Sequence, residues 1–72
     1  MSQEIKLLDV VALIEDLPGR KLRRGQVGTV VELLTPGVFE VEFTDNDGRA
    51  FASLALKDDQ LLLLHYQPLE AA

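Results

Sequence analysis

From Gly25 to Arg49 the chain reads Gly-Gln-Val-Gly-Thr-Val-Val-Glu-Leu-Leu-Thr-Pro-Gly-Val-Phe-Glu-Val-Glu-Phe-Thr-Asp-Asn-Asp-Gly-Arg. Two runs rich in β-branched and aromatic residues are separated by Pro36-Gly37 and followed by Asp47-Gly48. Proline presets φ for the first corner of a turn, and glycine accepts the positive φ that the second corner demands. Strand, tight turn, strand and tight turn therefore follow one another at the spacing of a small antiparallel barrel. In the second run Phe39, Val41 and Phe43 alternate with Glu40 and Glu42, so one face is core and the other meets solvent or a partner.

The flanking segments extend the pattern. Leu7 to Ile14 admits two readings: Leu7, Leu8, Val11 and Ile14 fit a helical stripe, whereas the alternation of Val10, Ala12 and Ile14 with Val11 and Leu13 fits a strand buried on both faces. Pro18-Gly19 follows too soon for a helix of ordinary length, which favours a strand over Val10 to Glu15. Glu15 to Gly25 is then a loop of about ten residues, longer than a compact hairpin needs, and long ordered loops often carry binding function. Val27 to Leu34 is the predicted second strand. Gly28 inside it predicts a bulge or a close backbone approach, and the strand's facing stays open because both sides are apolar apart from Thr29 and Glu32.

Arg49 to Leu56 predicts a fourth strand, Lys57 to Gln60 a helical or 3₁₀ turn, and Leu61 to Tyr66 a fifth strand stopped by Pro68. The expected fold class is all-β: a small five-stranded SH3-like antiparallel barrel with a short 3₁₀ turn before the last strand. The competing architecture is an open meander packed on a helix from Leu7 to Asp16. One SH3-like domain is expected over residues 1–72, with an ordered core over about 5–66 and a loose tail over 67–72.

Size and charge narrow the function classes. A chain of 72 residues buries only about 60% of the surface its unfolded form exposes, so good packing or a partner has to support it. There is no cysteine, hence no disulfide framework and no thiolate metal site. No apolar stretch reaches the roughly 18 residues a membrane span requires. The first residues lack the features of a signal peptide, so a cytoplasmic location is the default expectation. Net charge is −5, which repels phosphate backbones and disfavours general nucleic-acid binding.

That charge is unevenly spread. Arg20, Lys21, Arg23 and Arg24 are four of the seven basic residues, and the rest of the chain sets three basic against twelve acidic groups, a charge of −9. The expected molecule is an acidic body carrying one basic loop.

The segments Leu7 to Leu13, Leu22 to Glu32 and Phe39 to Phe43, with Leu-Ala-Leu-Lys-Asp-Asp-Gln-Leu at Leu54 to Leu61, resemble the small bacterial domain-of-unknown-function 4926 family. The resemblance covers about Ile5 to His65. It implies an SH3-like barrel and a small stand-alone protein acting by binding another protein, and it implies almost nothing about activity. A weaker similarity, through Gly25, Gly28 and Val30, is to KOW-type segments, whose flanking basic residues meet RNA. Here the broad basic field is missing.

The candidate sites are few. His65 is the only histidine, and with Ser2 and Ser53 as the only serines no nucleophile–base constellation suggests itself, so no catalysis is expected. Asp45-Asn46-Asp47-Gly48 resembles the start of a calcium loop, but Arg49 follows directly and Asp-Gly is itself a hairpin turn signal. Asp58-Asp59 reads as the opening of a polar turn rather than a metal site. No metal and no cofactor is expected. A polyproline groove needs an exposed aromatic platform that three Phe, one Tyr and no Trp do not readily build.

Two surfaces remain. Arg20, Lys21, Arg23 and Arg24 are either solubilising charges or a docking element for an acidic protein surface, where arginine makes forked pairs with carboxylates. Leu22 among them is suited to anchor the loop inward. The second surface is apolar: Val38, one of Val30 and Val31, and part of Leu61 to Leu64 exceed what so small a barrel encloses. The expected function is a non-catalytic protein-interaction module, an accessory or inhibitory subunit docking through residues 20–24 or the apolar strands. The alternative is a KOW-like nucleic-acid-associated barrel. The expected partner is another protein of unknown identity, with nucleic acid and membrane disfavoured and self-association left open.

Overall fold

A computed structural model of the chain describes residues 4–65. Five strands, β1 (Val10–Leu13), β2 (Val27–Thr35), β3 (Val38–Thr44), β4 (Ala50–Lys57) and β5 (Leu61–Leu63), form one antiparallel sheet in the order β4-β3-β2-β1-β5. This is the expected all-β, five-stranded antiparallel arrangement. A 3₁₀ turn at Asp58–Gln60 precedes β5, as the sequence indicated. A second 3₁₀ turn, at Pro18–Arg20, was not anticipated. No α-helix occurs among the described residues.

The helical alternative for Leu7 to Asp16 fails for a local reason. Asp9 accepts the Lys6 N–H through its carboxylate at 2.7 Å and donates its own N–H to the Lys6 carbonyl at 3.0 Å. Those bonds close a turn over Leu7-Leu8 and place Leu8 at φ 71°. β1 starts directly after it and stops at Leu13, two residues short of the expected end at Glu15. The fifth strand is likewise shorter than Leu61 to Tyr66. Tyr66, Pro68 and the tail 67–72 lie outside the described residues.

The core sits on one face of the sheet. Phe39, Val41 and Phe43 of β3 lie opposite Leu56, Leu54 and Ala52 of β4, and Val41 and Phe43 lie opposite Val30 and Gly28 of β2. Val11 and Leu13 of β1 complete it with Leu63 and Leu61 of β5. Val11, Val30, Val41 and Phe43 are fully buried.

Gly28 does not bulge. It allows a close approach, since a Cβ there would lie 2.7 Å from Val41 Cγ1 and 2.9 Å from the Glu42 carbonyl oxygen. The bulges come later in β2. Between Val30 and Glu32, and again between Leu33 and Thr35, two steps on β2 match one on β3, leaving Val31 and Leu34 as extra residues. Each bulge shifts the alternation by one, bending the strand. Val30 therefore faces the core while Glu32, two residues on, shares the outer face with Glu40.

Both hairpins follow their turn residues. Gly37 has φ +79°, as a Pro-Gly turn demands of its second corner. At the other, Asp45 donates its N–H to the Arg49 carbonyl, and its carboxylate Oδ1 accepts the Asp47 and Arg49 N–H groups at 2.9 and 3.0 Å.

Candidate interaction surface

The segment between β1 and β2 is a built structure rather than an open loop. Leu17 and Leu22 exchange both backbone hydrogen bonds, at 2.8 and 3.1 Å, and pinch off a small hairpin whose tip is Pro18-Gly19-Arg20-Lys21. Inside it the N–H groups of Arg20 and Lys21 donate to the carbonyls of Leu17 and Pro18. Lys21 takes φ 59°, turning the chain back. Leu22 is 1% exposed and joins the core, so the expected anchor is in place.

The return arm is fastened at four points. Arg23 N–H donates to Gln26 Oε1 at 2.6 Å, and Arg24 N–H donates to the Asp16 carboxylate at 2.8 Å. Gly25 N–H donates to the Leu13 carbonyl at 2.7 Å, and Leu13 N–H donates to the Gln26 carbonyl at 2.9 Å. Every fastening uses backbone groups of the arm and leaves its charges outside. Arg20, Lys21, Arg23 and Arg24 are all exposed. Two of the nearby carboxyl-bearing residues are already engaged, Asp16 with Arg24 and Glu15 with the Gln60 side-chain amide at 3.1 Å.

The apolar excess is also on the surface. Val31 is exposed while Val30 is buried, and Leu62 is exposed while Leu61 is buried. Val38 is half-buried. Beyond those, Val27, Ile14, Leu33, Leu34 and Phe51 are exposed, and Phe51 is the extra residue of a bulge between Phe43 and Thr44 in the β3–β4 register, which alternation alone does not reveal. Ile5, Leu33, Thr35, Pro36, Gly37 and Phe39 line a shallow recess at the tip of the β2–β3 hairpin.

His65 is exposed, two residues past β5, on the rim of an open groove with Glu4, Lys6 and Asp9. Asp45 is committed to its turn, and Asp58 and Asp59 form the first turn of the 3₁₀ segment, whose preceding Lys57 N–H is held by Gln60 Oε1 at 2.9 Å. Among the described residues no group of three or more His, Asp or Glu side chains is placed to hold a metal ion. No described helix is long and apolar enough to cross a membrane.

Against known proteins, the family model described as "Domain of unknown function (DUF4926)" matches residues 7–63. The match runs from the Leu7-Leu8 turn to the end of β5 and so spans every strand. No curated protein and no solved structure matches the chain significantly.

Proposed function

We propose, for a chain that belongs to the DUF4926 family, that it works as a non-catalytic protein-interaction module which docks an acidic protein surface through Arg20, Lys21, Arg23 and Arg24. The observation that carries this reading is the braced hairpin. A stretch of charge kept only for solubility needs no fixed shape, whereas here the Leu17–Leu22 bridge, the buried Leu22 and the tethers at Asp16 and Gln26 hold the backbone beneath four exposed cations. A pre-shaped loop loses less conformational entropy on binding. The cations stand on a body of opposite sign, which steers an acidic partner to this end of the molecule.

The test is capture of a stoichiometric protein from native lysate by the tagged chain, beside a variant with Arg20, Lys21, Arg23 and Arg24 changed to Glu. The expected result is a protein partner held at low salt and lost in the variant. Capture of nucleic acid instead of protein would replace this reading with a KOW-like one, and an equal partner on both baits would remove the loop from the interface.

A further inference from the structure

The register puts three apolar residues in a row on the outer face of the sheet. Val27 of β2 lies opposite Ala12 of β1, and Ala12 lies opposite Leu62 of β5. Residues directly opposite in an antiparallel pair share a face. This is the face away from the core, because Val11 and Leu13, on either side of Ala12, are in the core cluster. Val27 is 50% exposed and Leu62 52%, with the small Ala12 sunk between them at 8%. The row is thus two ridges and a dip. Ile14, also exposed, continues the ladder through its N–H to the Gln60 carbonyl.

The row abuts the basic hairpin. The next rung after Ala12–Val27 is the Leu13 N–H to Gln26 carbonyl bond, and the rung beyond that is Gly25 N–H to the Leu13 carbonyl. Arg24 and Arg23 follow immediately. The row runs across the strands and the chain leaves it along them, so the exposed cations of the hairpin flank the strip beside β1 and β2.

We infer that this combined surface takes an amphipathic helix of a partner protein, with apolar residues on one face and carboxylates along the flank that meets the hairpin. The inference rests on the reading of the basic hairpin as a docking element and names what docks there. Spacing supports a helix. Strands lie about 4.8 Å apart, so Val27 and Leu62 are separated by about 9.6 Å across β1. Side chains at i and i+7 of a helix are spaced by about 10.5 Å, with i+3 and i+4 between them to fill the dip over Ala12. Charge supports an acidic flank on that helix, because cations border the strip along one side and forked arginine–carboxylate pairs fix orientation.

The experiment is affinity selection of random short peptides on the immobilised full chain. Selected peptides are then measured against three variants: Leu62→Ser with Val27→Thr, the four-residue loop reversal to Glu, and Leu34→Ser as an exposed leucine off the row. Thermal melts of each variant confirm that it is folded, all the altered side chains being exposed. The expected peptides carry apolar residues at i, i+3 or i+4, and i+7 with Asp or Glu on one flank of that apolar face. Their affinity falls about tenfold or more in each of the first two variants, and Leu34→Ser leaves it unchanged. Acidic peptides without that apolar spacing, indifferent to Leu62→Ser with Val27→Thr, would overturn this inference and leave the hairpin reading standing. Apolar peptides indifferent to the loop reversal would overturn both, as would a failure of the full chain to enrich any peptide.

Discussion

Glu32 of β2 and Glu40 of β3 stand directly opposite one another on the outer face of the sheet. Glu42 follows on the same side of β3, and Ser53 Oγ donates to Glu40 Oε2 at 2.6 Å. Like charges across an antiparallel pair oppose the pairing that brings them together. Replacing Glu32 by Lys turns that repulsion into attraction without disturbing the serine contact. The variant is expected to gain roughly 0.2–1 kcal/mol in urea denaturation at low ionic strength. The gain should shrink at high salt, because both groups are exposed or half-exposed and therefore screened.

Gly28 tests the close approach of β2 to β3. A methyl there meets Val41 Cγ1 and the Glu42 carbonyl oxygen inside any normal contact distance, and a backbone oxygen moves only with its strand. Gly28→Ala should cost about 1–3 kcal/mol, read as a lower denaturation midpoint with an unchanged slope. Gly19→Ala is the control: nothing lies within 4 Å of a Cβ at that position. It should be neutral, or stabilising by up to about 1 kcal/mol.

Leu22 ties the basic hairpin to the core. Leu22→Ala should cost about 2–5 kcal/mol, as for other leucines removed from closed cores. It should also raise amide exchange at Leu17 and Leu22, whose paired bonds depend on that anchor. Rapid exchange at Leu17 in the unaltered protein would remove the physical basis for calling the hairpin pre-shaped.

Leu8 sits at φ 71° with its side chain in solvent. A leucine in the left-handed region costs roughly 1–2 kcal/mol, and asparagine tolerates that region better. Leu8→Asn should therefore raise the thermal midpoint, by an amount equivalent to several tenths of a kcal/mol.

The fold was legible where local chemistry and the final geometry agree. Pro36-Gly37 and Asp47-Gly48 mark their turns, and the alternation of β3 survives unbroken from Val38 to Thr44. β2 was opaque because alternation is a period of two and its strand breaks that period twice. Val30 and Glu32 look like neighbours on one face, yet an extra Val31 sets them on opposite faces. No residue type marks a bulge of this kind; Gly28, the one signal, reports a neighbouring side chain instead.

The basic cluster was visible as composition, and Leu22 as an apolar interruption within it. What the sequence could not display was the bridge between Leu17 and Leu22, a contact that exists only because both ends of the segment are fixed by β1 and β2. The apolar row was equally hidden. Val27, Ala12 and Leu62 come from three separate segments, and only the register of β1 against β2 and β5 sets them side by side.

The position of β1 has a consequence for how the chain is made. β2, β3 and β4 pair with their sequence neighbours, so each hairpin can close as soon as it leaves the ribosome. β1 finds β2 early, but its other flank belongs to Leu61–Leu63, which are synthesised some fifty residues later. Until then Val11 and Leu13 lack the lid that Leu61 and Leu63 place beside them. Without Leu61–Leu63 the other four strands form an open sheet with one unclosed seam, and that short strand decides when the core becomes dry.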